Sequence, residues 1–358
     1  MSRIVIGLSG GVDSAVAALL LRQTGHQLSA VFMKNWDDDD EEVYCPAKAD
    51  LEDARDVCER LDIELQTVSF SAEYWNRVFR HFLDEYQAGR TPNPDILCNR
   101  EIKFRAFLDY ALAHGADAIA TGHYARLAGD GAVRLLRAAD AGKDQTYFLH
   151  ALDQAQLERS VFPIGHLQKT EVRDLAAQAG FRNHDKKDST GICFIGERKF
   201  RDFLERYLPR RPGEIRTLDD RLVGRHQGLM FYTIGQREGL GIGGRKEAAG
   251  DPWYVVGKDT AHNILRVVQG VDHPALFRRR LRTGPLHWIA GSAPAPPLEC
   301  TARIRYRQQD RPCVIARGPA DSAVVEFAEP QRAITPGQSV VFYDGATCLG
   351  GGVIEAAL

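Results

Sequence analysis

Apolar residues in the first two hundred positions fall into short runs at 4–8, 28–33, 63–68 and 118–121, separated by stretches with helical spacing. Such alternation predicts a parallel sheet with helices on both faces. The stretch 50–61 is the clearest helix, because Leu51, Ala54, Cys58 and Leu61 share one face and charged residues take the other. Cys58 is therefore expected in the core. After Leu208-Pro209-Arg210-Arg211-Pro212-Gly213 the helical period stops, and short strands with Gly and Pro turns follow. A hairpin is expected from 253–256 and 264–268, around a turn at 259–263. From 272 onward the alternating runs 302–306, 323–327 and 339–342 predict a small β-barrel. The pattern thus gives an α/β domain over 1–208, a small mainly-β central domain over 209–271 and a C-terminal barrel over 272–358.

The first run leads straight into Ser9-Gly10-Gly11-Val12-Asp13-Ser14 and then a helical stretch to Gln23. Glycines admit phosphate close to the backbone, and a helix N-terminus supplies N–H donors and positive dipole. The loop lacks the lysine and spacing of a Walker motif, so a γ-phosphate grip is absent. Pyrophosphate can be held instead as a leaving group while the α-phosphate is attacked. A plain Gly-rich turn is the alternative, and the flanking strand and helix argue against it.

Composition narrows the setting. The 358 residues are 44% hydrophobic and 26% charged, enough for several cores. No apolar stretch approaches the roughly 20 residues that span a bilayer, and Met1 to Ile6 shows no leader pattern, so a protein that is not exported and has no membrane role is expected. Seven scattered cysteines without a C-x-x-C pair suit a reducing cytoplasm. The net charge of -2 hides an asymmetry: eight arginines lie between Phe277 and Arg311, against Glu299 and Asp310. Arg305-Tyr306 sets charge beside a ring, which suits contact with a single-stranded nucleic acid, and the arginines equally suit a solvated strand edge guarded by charge. The acidic run 37–42 reads as a solvated loop, and no metal is assigned to it. Cys45 has no role, and the glycines at 239–244 read as a turn or lid.

Two cysteines stand in suggestive contexts. Cys98, in Thr91-Pro92-Asn93-Pro94-Asp95-Ile96-Leu97-Cys98-Asn99, is expected just before a helix N-terminus capped by Asn99, where the field favours thiolate. Asp95, within one turn of it, suits proton acceptance if burial raises its pKa. Cys193 lies in Ser189-Thr190-Gly191-Ile192-Cys193-Phe194-Ile195-Gly196, whose composition suits a loop beside a site; Lys186, Lys187 and Arg198 are placed to favour its thiolate. Each residue alone also reads as ordinary: buried thiols pack, and Asp after Pro turns chains.

The loop Ser9 to Ser14 resembles the SGGxDS motif of the PP-loop ATP-pyrophosphatase superfamily, whose fold is adenine nucleotide alpha hydrolase-like. That resemblance implies ATP with Mg2+, an AMP-activated intermediate, and nucleotide contacts from Gly7, Leu8, Ser9, Gly10, Gly11, Val12, Asp13, Ser14, Met33 and Gly122. Together with Asn35-Trp36, 89–104, Ala120 to Tyr124, Lys143 to Tyr147, Ser189 to Gly196, Tyr232 to Arg237 and Arg303 to Tyr306, the chain closely resembles the bacterial tRNA-specific 2-thiouridylase family, which thiolates wobble uridine at anticodon position 34. By that resemblance Cys98 is the nucleophile, Cys193 the persulfide carrier and Asp95 the acid/base, with a transient Cys98–Cys193 disulfide. Asn93, Pro94 and Asp95 face the target base, while His123, Lys143, Asp144, Gln145, Arg305, Tyr306 and Gln338 contact the anticodon stem-loop of tRNA. A persulfide donor or relay protein is the implied partner, and nothing demands more than a monomer. Competing readings are a PP-loop enzyme that makes amides or lysidine, which needs no cysteine pair, and a non-catalytic RNA-binding module.

Overall fold

A computed structural model of the chain describes residues 2–36, 46–129, 131–187, 200–242, 251–319 and 321–358. Its first unit is the expected parallel sheet. Strand β1 (Arg3–Leu8) runs into helix α1 (Val12–Gln23), followed by β2 (Gln27–Lys34), α2 (Pro46–Leu61) and β3 (Leu65–Ser69); β4 (Ala118–Ala120) lies on the other side of β1. Alternation along β1 decides the layers: Ile4, Ile6 and Leu8 bury with Val16, Ala17 and Cys58, while Val5 joins the Phe79, Phe104 and Phe107 core. Cys58 is buried, as its helical face requires.

The pattern missed a hairpin, β5 (Ala125–Ala128) and β6 (Arg134–Arg137), too short to carry a period. After it come β7 (Ser160–Val161), which completes the parallel order β3-β2-β1-β4-β7, and a helix at Lys169–Gln178. The hairpin leaves that sheet altogether and pairs with the last strand of the chain, Leu136 opposite Thr347 and Leu135 opposite Cys348.

The central unit holds β8 (Gly213–Thr217), β9 (Leu222–His226), β10 (Trp253–Asp259) and β11 (Ile264–Gln269), ordered β10-β11-β8-β9. The predicted hairpin is present, with a bulge between Val255 and Gly257. The C-terminal unit contains β12 (Phe277–Thr283), β13 (His287–Trp288), β14 (Leu298–Arg303), β15 (Arg311–Arg317), β16 (Ala323–Arg332), β17 (Ser339–Asp344) and β18 (Thr347–Ala357). Six of these close a barrel, because β12 pairs with both β16 and β18. A buried network fastens the hairpin to it: Arg137 donates to Asp310 at 2.7 Å and Asp144 at 3.3 Å and lies 3.7 Å over the Tyr343 ring, while Arg303 donates to Asp310 at 2.6 Å. Among the described residues no helix is long and apolar enough to cross a membrane.

Candidate active site

In the order β3-β2-β1-β4-β7 the direction of winding reverses between β1 and β4, and the crevice at the C-terminal ends of such strands is where ligands bind. Ser9 to Ser14 sits there. Gly10 has φ +75°, and a Cβ on it would lie 2.3 Å from the Asp50 carbonyl oxygen, so no larger residue fits. Gly122, just past β4, is equally constrained, its would-be Cβ 2.6 Å from the Ser14 nitrogen. The Ser14 hydroxyl donates to the Gly11 carbonyl at 3.0 Å and accepts from the Ser9 N–H at 3.2 Å. No side chain caps α1 at Gly11, which leaves its first N–H groups directed at the crevice.

Residues that local sequence did not single out complete this loop. Lys169 donates to both oxygens of Asp13, at 2.7 and 2.9 Å, and the Tyr124 hydroxyl donates to the same carboxylate at 2.9 Å. Asn183 and Lys186 donate to the Gly10 carbonyl, and Lys186 also pairs with Asp50 at 2.7 Å and Asp53 at 2.5 Å. Tyr124 lies within a motif of the resemblance and Lys186 is expected to favour the Cys193 thiolate, but neither they nor Lys169 carry a local signature for this role, the lysines coming from 156 and 176 positions away. Met33 is half-buried, its methyl 3.0 Å from where a Gly7 Cβ would stand.

The second cysteine-bearing segment departs from expectation. Its helix begins at Pro94, with Asn93 as the cap accepting from the Asp95 N–H at 3.2 Å, and Asn99 caps nothing. Pro94 follows the cap because its missing N–H is one the first turn leaves unpaired anyway. Cys98 therefore lies inside the helix rather than before it, beyond the first turn where the dipole acts, and is 2% exposed. From Cys98 to Ala106 the helix widens to π-type bonding before Phe107–Ala113 resumes the α form. Burial raises the Asp95 pKa, and the Lys103 ammonium opposes that rise. The shift is in the direction an acid/base requires.

The 121–148 segment joins these two regions. The Tyr124 N–H donates to the Gln145 side chain at 2.8 Å, and the Gln145 N–H donates back to the Tyr124 carbonyl at 2.9 Å. His123 is buried, its ring 5.5 Å from that of Phe104 and its Nδ1 2.8 Å from the Thr121 hydroxyl; burial and then Lys103 hold its pKa well below the usual range. The Asn99 amide donates to the Phe148 carbonyl at 3.3 Å, and Phe148 packs on Tyr306 with centroids 4.4 Å apart.

Several residues that the resemblance assigns to RNA face inward. Asp144 is 2% exposed and serves Arg137, Arg303 and Thr146. Arg305 donates to the carbonyls of Ile234 and Ala333, and Gln338 donates to that of Thr91 at 2.8 Å. Of the eight arginines, Arg278, Arg279, Arg280 and Arg282 on β12 are exposed, whereas Arg303 is committed to Asp310. Cys193, with Ser189 to Gly196, Arg198, Cys45 and the acidic run 37–42, lies outside the described residues. Among those described, no group of three or more His, Cys, Asp or Glu side chains could hold a metal ion.

A doubly wound sheet whose first strand ends in SGGVDS, over an uncapped helix N-terminus, defines a PP-loop ATP-binding enzyme. Residues 2–197 match the family model described as tRNA methyl transferase HUP domain, 201–269 the tRNA methyl transferase PRC-barrel domain, and 278–354 the aminomethyltransferase beta-barrel domain. The chain is 61% identical to the tRNA-specific 2-thiouridylase MnmA of Methylococcus capsulatus, covering 98% of this chain and 96% of that one. It is 59% identical to the protein of that name from Pseudomonas paraeruginosa, covering 99% and 95%, and 58% identical to that from Alcanivorax borkumensis, covering 99% and 97%. The chain belongs to the tRNA-specific 2-thiouridylase family.

Proposed function

We propose that this protein acts as an ATP-dependent tRNA-uridine 2-sulfurtransferase, converting the wobble uridine at anticodon position 34 to 2-thiouridine and releasing AMP and diphosphate. The observation that carries the reading is the physical continuity of its two reactive regions. Asp13 reaches Gln145 through Tyr124, and His123 from the same segment packs on Phe104 of the helix that bears Asp95 and Cys98. That continuity supports a reading in which an oxygen activated at the loop meets the helix that bears a thiol and a carboxyl of raised pKa.

In the proposed reaction the uridine O2 attacks the α-phosphate of ATP, and pyrophosphate leaves past the N–H groups of α1. Asp95 takes the N3 proton as the base becomes an O-adenylyl species. The terminal sulfur of a Cys193 persulfide then forms the bond to C2 while the C2–O bond to AMP breaks. Attack of the Cys98 thiolate on the remaining S–S bond leaves a Cys98–Cys193 disulfide, which an external thiol reduces; alternatively that attack comes first and frees the sulfide that displaces AMP. Magnesium fits to a limited degree: Mg2+ takes one or two carboxylates plus substrate phosphates, and Asp13 is the carboxylate at the loop, with its side chain 30% exposed. When bound, the ion neutralises charge on the leaving pyrophosphate.

The reading places units at 1–208, 209–271 and 272–358, a monomer in the cytoplasm, and a persulfide-bearing protein as sulfur source. It keeps Asn93, Pro94, Lys143, Tyr306 and the β12 arginines toward tRNA, and gives His123, Asp144, Gln145, Arg305 and Gln338 supporting roles behind that surface. Nucleoside mass spectrometry of tRNA incubated with protein, ATP and a persulfide source tests it. The expected product is 2-thiouridine at position 34; ATP bound and tRNA unmodified would count against the reading.

A further inference from the structure

The segment 88–93 joins the helix Arg80–Gln87 to the helix beginning at Pro94, and it belongs to no strand or helix. Two of its neighbouring residues, Pro92 and Pro94, have no N–H to offer, so its carbonyls must find donors elsewhere. They find them in the two appended units. Lys258 of β10 donates from Nζ to the Gly89 carbonyl at 2.8 Å. Gln338, just before β17 in the barrel, donates from Nε2 to the Thr91 carbonyl at 2.8 Å and the Pro92 carbonyl at 3.4 Å. The Thr91 N–H donates to the Pro336 carbonyl at 3.0 Å, and its hydroxyl lies 3.4 Å from that of Thr233 in the central unit.

The fit is close on both sides. Gly337 has φ +91°, and a Cβ there would stand 2.8 to 2.9 Å from the Thr91 backbone. The bulge in β10 directly precedes Lys258, and bulges re-aim the side chains that follow. Burial lowers the Lys258 pKa to about 8, the cost of directing an ammonium at a lone carbonyl. Lysine is seldom put to such use for packing alone.

We propose that Lys258 and Gln338 are positioning residues that clamp the 89–92 segment and thereby fix the helix carrying Asp95 and Cys98 relative to bound tRNA. The proposal rests on the functional reading above, in which that helix meets the target base. The clamp makes alignment of Asp95 conditional on how the central unit and the barrel are seated. RNA held by those units therefore sets the geometry of the chemistry.

The test uses the full chain with Lys258→Met and Gln338→Glu, the latter replacing a donor with an acceptor opposite two carbonyls. Steady-state tRNA-dependent pyrophosphate release and 2-thiouridine formation are measured with ATP, tRNA and a persulfide source. Misalignment predicts that kcat falls about tenfold to a hundredfold, with KM for ATP and tRNA changed by less than about twofold. Lys258→Arg, which keeps a donor, restores most of the rate. If either disruptive variant fails to fold, Lys258→Gln and Gln338→Asn, whose amides are too short to reach the carbonyls, take its place. Unchanged kcat in folded variants overturns the clamp, as does a loss confined to tRNA KM. Asp95→Asn and Cys98→Ser run in parallel: full thiolation by those two would mean that the site reading, not the clamp, has failed.

Discussion

The nucleotide loop and the segment proposed to face the target base are built on different plans. Ser9 to Ser14 is a contiguous turn between β1 and α1 that its own Ser14 hydroxyl spans by bonding to Ser9 and Gly11, with Lys169, Asn183 and Lys186 buttressing it from outside. The 89–92 segment has no such internal span, and its Gly89 and Thr91 carbonyls accept from Lys258 and Gln338, 169 and 247 positions away. A phosphate site recurs wherever a glycine turn meets a helix end, so a few adjacent residues can specify it. A site that must meet one base of a folded RNA has to be referred to the surfaces that hold the RNA. The difference separates the general half of the reaction from the specific half.

The largest effect that would sharpen this contrast is on sulfur transfer alone. Cys98→Ser is expected to lower 2-thiouridine formation about a thousandfold or more, by analogy with loss of other enzymic nucleophiles. ATP binding should persist, because the loop's contacts do not involve Cys98. Nucleoside mass spectrometry beside ATP-binding calorimetry checks this. Joint loss of both activities would mean that the two regions are one unit.

Asp95→Asn should act on chemistry and stability in opposite senses. Removing the base lowers kcat/KM by about a hundred- to ten-thousandfold. Because burial raises the Asp95 pKa, the folded state binds the proton more tightly than the unfolded one, and stability falls as pH rises from the unfolded value through the raised one. The asparagine variant lacks that loss. Its Tm at neutral pH is therefore expected above that of the parent, with the two converging in acid; thermal scans across pH decide it.

The same contrast explains what was legible in the sequence. The β1 and β2 runs, the face shared by Ala54 and Cys58, and the phosphate turn are local patterns, and all were readable. Asn99 reads as a cap because Cys98 and Asn99 directly precede an apolar face, whereas Pro94, fitting a first helical turn, starts the helix after Asn93. The β5–β6 hairpin escaped because its pairing partner, β18, is more than two hundred residues away. Lys169 and Lys258 carry no signal, and Lys186 signals only a role beside Cys193, for a related reason: a lysine's role depends on which carbonyl or carboxylate the fold brings to it. Asp144 and Gln338 were assigned to RNA through resemblance, and their inward hydrogen bonds are tertiary facts.

Breaking the general half alone should be possible at Gly10. Alanine there must adopt φ +75° and move the Asp50 backbone, which lies 2.3 Å from the new Cβ. The expected cost is about 1–3 kcal/mol of stability, and a 1.4 kcal/mol share falling on the bound loop weakens ATP binding about tenfold. Isothermal titration with ATP and a thermal scan measure the two. The affinity for tRNA should be unaffected, since the 89–92 clamp shares no contact with Gly10.

The smallest effect concerns the RNA surface. Arg278 and Arg280 are exposed on β12, and each is opposed across the strand pair, by Gln331 and Glu326 respectively. If both contact phosphate, replacing them with glutamine weakens tRNA binding nearly equally for cognate and non-cognate anticodons, because phosphate contacts carry no sequence information. The log–log slope of affinity against salt should flatten by about 0.7 to 0.9 for each contact removed. Filter binding over a salt series with matched and mismatched anticodon stem-loops reads both quantities. An unchanged slope would assign the arginines to solvating the barrel's outer face, and a change confined to cognate RNA would move specificity out of the 89–98 segment and onto the barrel.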